Sequence, residues 1–171
     1  MDFRPSTEPG PGQRRPPLPV KIVIAGGFGV GKTTTVALDF GRITIRENLV
    51  VYLFGTPGQE RFWFMWDELA RGALGAVVLA DTRRLADCFP SVDYFEKHHV
   101  PFVVAVNCFD GARRYSAKAV RSAVDLDPEV PVVLCDARMP TSGREVLIAL
   151  VEHAIATIRR NTELAAEVVA P

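Results

Sequence analysis

Cysteine is scarce in this sequence, and the few residues there are do not cluster. Cys88, Cys108 and Cys135 are three thiols far apart in the chain. An odd, scattered set excludes a disulfide framework, has no zinc-ligand spacing, and suits a reducing, cytoplasmic setting. Net charge is missing as well. Lysine plus arginine and aspartate plus glutamate each number 20, so no field of one sign draws the chain to nucleic acid or an anionic membrane. No apolar run approaches the roughly 18 residues of a membrane span, and no apolar stretch near Met1 reads as a secretion signal. The first residues also lack anything that could fold. Pro5, Pro9, Pro11, Pro16, Pro17 and Pro19, with Gly10 and Gly12, make residues 1–19 read as a disordered Pro-rich tail. The rest of the 171 residues, in a chain 48% hydrophobic and 23% charged, suffices for one domain with its own core.

What is present begins with a glycine loop. Gly26-Gly27-Phe28-Gly29-Val30-Gly31-Lys32-Thr33 has the pattern G-x-x-x-x-G-K-T of a phosphate-binding P-loop. It follows Val20-Lys21-Ile22-Val23-Ile24-Ala25, an apolar run that reads as a buried strand. The motif requires that context. Glycines allow successive backbone N–H groups to converge on an anion. Lys32 adds a point charge for the β- and γ-phosphates, and the Thr33 hydroxyl suits Mg²⁺.

The chain after the loop predicts alternating strands and helices. Thr33-Thr34-Thr35-Val36 are poor helix formers, so residues 34–45 read as a strand in place of the usual P-loop helix. Glu47-Asn48 reads as a hairpin turn, and residues 49–54 as a second, buried strand of that pair. A loop, Gly55-Thr56-Pro57-Gly58-Gln59-Glu60, precedes a helix over 61–72 that holds Phe62-Trp63-Phe64-Met65-Trp66. Further strands are expected over 73–80, 101–106 and 130–135. Helices are expected over 84–98, divided at Pro90, over 116–124 capped by Ser116, and over 142–160. A frayed tail is expected over 161–171. Such alternation predicts an α/β fold with a mostly parallel sheet and a binding site beyond the strands' carboxyl ends. The loops 26–33, 55–60, 107–110 and 135–137 all fall at that edge.

The ordered set Gly26–Thr33, Thr35, Thr56-Pro57-Gly58-Gln59, Asn107-Cys108-Phe109-Asp110 and Cys135-Asp136-Ala137 resembles the five motifs of Ras-like small GTPases. The longer stretches 20–34 and 54–66 resemble bacterial conservon G proteins, which are encoded beside a sensor-kinase-like membrane protein and a roadblock-type protein. The likeness covers about residues 20–158. It implies a P-loop NTPase-like sheet of order 2-3-1-4-5-6 with helices on both faces, in a domain over 20–160. It also implies GTP or GDP bound with Mg²⁺, slow GTP hydrolysis, and a switch role beside those two partners, at the inner face of the membrane through them. No nucleic acid and no membrane insertion are implied.

By residue, Gly26, Gly27, Phe28, Gly29, Val30, Gly31, Lys32, Thr33 and Thr34 would hold phosphates, and Thr33 and Thr35 would hold Mg²⁺. Asn107 would brace the loop. Asp110 would read guanine, Ala137 would offer its N–H to the guanine oxygen, and Gln59 would orient the attacking water.

The sequence departs from the pattern in three places. Gly55 stands where an aspartate is usual, and Cys108 where a lysine is usual. The segment between Thr34 and Thr35 that relatives fill with the P-loop helix and a switch loop is absent. The first helix would then be missing or vestigial, and one sheet face bare beside the 142–160 helix. Three extended residues at about 3.3 Å each still bridge the roughly 10 Å from strand one to strand two. A shortened, non-binding pseudo-GTPase that serves as an interaction module is therefore an alternative, and an ATP-binding P-loop protein is another. The aromatic run 62–66 cannot all face one core at 100° per residue, so part of it is expected to meet a protein partner.

Overall fold

Alternating apolar side chains send each central strand's residues to both faces of a single sheet. In β1 (Leu18–Gly26), Ile22 and Ile24 enter the core on one face, and Val23 and Ala25 the core on the other. A strand buried on both sides belongs in the middle of a parallel sheet, and β1 lies there. The computed structural model describes residues 17–27, 29–32, 40–46, 49–57 and 64–169. Its other strands are β2 (Phe40–Arg46), β3 (Leu49–Gly55), β4 (Gly75–Ala80), β5 (Phe102–Asn107) and β6 (Val132–Cys135). Their order is β2-β3-β1-β4-β5-β6. β1 pairs in parallel with β3 (Ile22 beside Leu53) and with β4 (Ile22 beside Gly75), and only the edge strand β2 runs antiparallel. The expected strand order is therefore the observed one.

The described helices are α1 (Trp66–Ala70), α2 (Phe89–Lys97), α3 (Ala117–Val124) and α4 (Pro140–Val169). A 3-10 turn (Leu85–Cys88) leads into α2, and Pro90 sits in that helix's first turn. The division expected at Pro90 falls there because proline is tolerated where the N–H has no intrahelical partner. Ser116 caps α3, its Oγ accepting the Ala119 N–H at 3.2 Å. Val92 and Phe95 of α2 and Val120 of α3 close one core, while Val146 and Leu150 of α4 close the other. Helices thus cover both faces.

Some boundaries differ from expectation, and others fall outside the described residues. β2 is described from Phe40, and the start expected at 34 lies outside the described residues, as does the turn 47–48. Lys32 is itself helical, so the expectation that no helix follows the loop also falls outside the described residues. α1 is shorter than the expected 61–72, with residues 58–63 again outside. α4 runs to Val169, past the expected end at Arg160, because residues 161–169 contain leucine, alanine and glutamate and no glycine or proline. The N-terminal tail 1–16 is outside the described residues.

α4 packs against β4, β5 and β6. The β1–β3 side of that face carries a groove of about 890 Å³ beside the helix, floored by Val20, Ile22, Ile24, Val51 and Leu53 and walled by Leu147. It lies where a bare face is expected. No described helix is long and apolar enough to cross a membrane.

Candidate functional site

The carboxyl ends of β1, β3, β4, β5 and β6 converge on one edge, and the phosphate loop leaves β1 there. Two glycines fix its path. Gly26 has φ +137° and Gly31 φ +103°, values that L side chains rarely adopt. A Cβ on Gly26 would collide with the Leu79 carbonyl oxygen, and one on Gly31 would lie 2.7 Å from Asn107 Nδ2. The loop is therefore pressed against β4 at one end and against β5's terminal asparagine at the other. Lys32 Nζ reaches back to donate to the carbonyl oxygens of Gly26 (2.8 Å) and Gly27 (2.5 Å). That fold-back sets its charge beside the loop's backbone.

Asn107 connects this loop to the other end of the site. It is buried at the tip of β5, donates Nδ2–H to Val30 O at 3.1 Å, and accepts the Ala137 N–H on Oδ1 at 3.0 Å. Its expected bracing of the loop is thus visible as a hydrogen bond. The Ala137 N–H, expected to face a guanine oxygen, is instead donated to Asn107. Cys108 N–H to Cys135 O at 2.7 Å ties the same two loops together by backbone.

Asp110 lies three residues on, and its carboxylate is also engaged. Arg138 donates from Nη1 to Asp110 Oδ2 (2.6 Å) and from Nη2 to Asp110 Oδ1 (3.1 Å). The same guanidinium donates from Nε and Nη2 to both oxygens of Asp136, at 2.9 and 2.7 Å. These bonds hold the Asp110 carboxyl below the usual range and bring that of Asp136 down to about 2. Asp110 and Arg138 are exposed and Asp136 is half-buried, so solvent screens the attraction.

Nearby, Asp81 at the end of β4 is buried and takes three donations from Arg83 Nε and Nη2, which lower its pKa. The Arg83 guanidinium lies over the Phe109 ring, 4.1 Å from its centroid. This stack carries the β4 end to the 107–110 loop, so Arg83 serves the frame here. Arg84 pairs with Asp87 at 2.7 Å.

Phe28, Thr33, Thr34, Thr35 and Gln59 lie outside the described residues. Those that are described, Gly26, Gly27, Gly29, Val30, Gly31, Lys32, Asn107, Asp110 and Ala137, fall in three loops at this one edge. For a metal, Gly55 brings no carboxylate to the end of β3, and the described residues hold no cluster of three or more His, Cys, Asp or Glu placed for one. Thr56 Oγ1, next along that strand, is buried with no hydrogen-bond partner. A cation here fits one neutral oxygen and the phosphates that would bring it, without a carboxylate cage.

Arg138 is not expected in the site from sequence, and Asp136 only as a member of the Cys135-Asp136-Ala137 motif, with no role of its own. Arg138 directly follows the Asp136-Ala137 motif, but nothing in its spacing shows that it reaches back 28 residues to Asp110.

A P-loop on the central strand of a 2-3-1-4-5-6 sheet, joined by a buried asparagine to two further edge loops, defines a G-domain-like nucleotide-binding protein. The family model for "conserved hypothetical ATP binding protein" matches residues 25–157, and the chain belongs to that family. The chain is similar to the uncharacterized protein MJ1339 of Methanocaldococcus jannaschii, 30% identical over 110 residues, covering 53% of this chain and 71% of that one. Among solved structures it resembles the G domain of the T. maritima FeoB iron transporter (TM-score 0.61, 18% identity, 80% of this chain and 99% of that one). It also resembles the FeoB G domain from Methanococcus jannaschii (TM-score 0.59, 15% identity, 80% and 97% covered). At those identities the structural likeness concerns the fold.

Proposed function

We propose that the chain is a guanine-nucleotide switch: it binds GTP and GDP with Mg²⁺ at this edge and hydrolyses GTP slowly. The observation that carries this is Asn107, whose side chain couples the phosphate loop (Val30) to the 135–138 loop (Ala137) with Asp110 beside it. Such a frame holds a nucleotide at both ends at once. Lys32 and the loop amides receive the phosphates. Thr33 and Thr35 supply hydroxyls to Mg²⁺, which screens phosphate charge when bound. Gln59 orients the attacking water. Asp110 accepts from the guanine N1–H and amine, which adenine lacks, so a mismatched base leaves a desolvated carboxylate.

The partners are those of the conservon-type proteins, a roadblock-type regulator and a sensor-kinase-like membrane protein. Phe64 and Met65 support a docking surface for them. Phe64 is 75% exposed, while Trp66 beside it is buried against Tyr94 and Phe95.

Calorimetric titration with GTP, GDP and ATP tests the reading. GTP and GDP are expected to bind and ATP not, with Asp110→Ala removing the preference. Two observations favour other readings. The Arg138–Asp110 pair and the Ala137–Asn107 bond engage both base-reading groups, as in a pseudo-GTPase acting as an interaction module; absence of any nucleotide heat would favour it. The family's description favours ATP, and ATP outcompeting GTP would establish it.

A further inference from the structure

The groove beside α4 and the far end of α4 are complementary. The helix runs 30 residues, but the sheet underlies only its first half. Val146, Leu150 and Ala154 are buried, whereas every side chain from Ile158 to Ala166 is exposed. A second row runs beside the buried one. Ile148, Val151, Ile155, Ile158, Thr162 and Ala165 recur in alternating steps of three and four, the spacing of a coiled-coil seam. Ile148, Ile155 and Ile158 are 46%, 43% and 52% exposed. The row lies on the groove side, because Ile148 and Val151 also line the groove. Leu164 is 54% exposed. It lies in phase with Val146, about five turns further along, and close to the phase of Leu150, where no sheet lies beneath it.

We propose that the groove's occupant is the C-terminal end of α4 from a second copy of this chain. The pairing is antiparallel and two-fold, centred between Ile155 and Ile158. Ile155 then packs on Ile158 of the second copy, Val151 on Thr162, and Ile148 on Ala165. With the two-fold axis normal to the sheet, each helix end lies in the other copy's groove. Leu164 turns down onto the floor formed by Ile22, Ile24, Val51 and Leu53. Two symmetric contacts cover both grooves at once, which is the economy of an isologous interface.

Charge selects this orientation. Glu152 on the groove rim and Arg159 are both exposed and flank the seam on the same side. In an antiparallel pair such positions face each other across the interface, so Glu152 meets Arg159 twice by symmetry. A parallel pair would set Arg159 against Ala154 and forfeit both ion pairs. Residues 1–16 are a poor alternative occupant, since Met1 and Phe3 are their only large apolar side chains.

Sedimentation of the full chain over a concentration series tests this. A dimer that dissociates on dilution is expected. Ile158→Asp and Leu164→Asp should each weaken it at least tenfold, with the folded circular-dichroism spectrum kept because both positions are exposed in one copy. Glu152→Arg should weaken it several-fold, and adding Arg159→Glu should restore it. A wild-type chain that stays monomeric throughout overturns the proposal, and so does a dimer indifferent to Ile158→Asp and Leu164→Asp. Neither result bears on nucleotide binding, so this proposal and the functional one fail separately.

Discussion

On the proposed function, the phosphate end and the base end of the site would be built from different materials. The phosphate end is backbone, held from below by buried contacts: glycines at positive φ, and a loop carbonyl bonded to the buried Asn107. The base end is side chain, held by ion pairs of the exposed Arg138 with the exposed Asp110 and the half-buried Asp136. Backbone geometry enforced by close packing has no nearby alternative. Exposed ion pairs are weak and screened, and they exchange partners readily. On the proposed function, such a site would fix where phosphates go and leave the base end adjustable.

The severest test of the rigid end is Gly31→Val. Its Cβ would lie 2.7 Å from Asn107 Nδ2 at a φ of +103°. Strain of roughly 1–3 kcal/mol should lower the melting temperature, and calorimetry should show no nucleotide binding. Lys32→Ala comes next. Removing a cation that hydrogen-bonds phosphate should weaken nucleotide affinity by roughly tenfold to a hundredfold, with a smaller change in melting temperature.

Asn107→Ala probes the link between the ends. It leaves the Val30 carbonyl and the Ala137 N–H without their side-chain partner, at a cost of roughly 1–3 kcal/mol. Denaturant unfolding should show that loss, and every nucleotide tested should bind less tightly. If only one end responds, the coupling is wrong.

At the adjustable end, Arg138→Ala frees Asp110. GTP affinity should rise several-fold with ATP unchanged, and stability should barely move. Equal gains for both nucleotides would show general charge removal instead.

The smallest effect is the pH dependence. Asp110 and Asp136 have lowered pKa values in the folded chain, that of Asp136 about 2, first because of their hydrogen bonds to Arg138. Their contribution to stability is therefore present above the ordinary carboxylate pKa, near 3.9. It is lost as pH falls from there toward about 2. A shallow melting-temperature decline over that window, flattened by salt and reduced in Arg138→Ala, is the expected record.

Local pattern determined much of this molecule. Continuous apolar runs marked β1, β4 and β5, because a strand buried on both faces must be apolar throughout. Glycine spacing marked the phosphate loop, because only glycine takes its dihedral angles. Ser116 marked the start of α3 because its cap bond spans three residues. These are all constraints between near neighbours, and near neighbours are what a sequence displays.

Tertiary structure alone decided the rest. Ala137 gives its N–H to a residue 30 positions away, and Arg138 reaches 28 positions back. β5 and β6 place those loops side by side, and no spacing along the chain encodes the contact. The end of α4 follows the same logic. Helix propensity carries it to Val169, but how far the sheet supports it depends on how far the strands extend beneath it. That mismatch leaves an open groove and an unburied helix end, and their complementarity exists only in three dimensions.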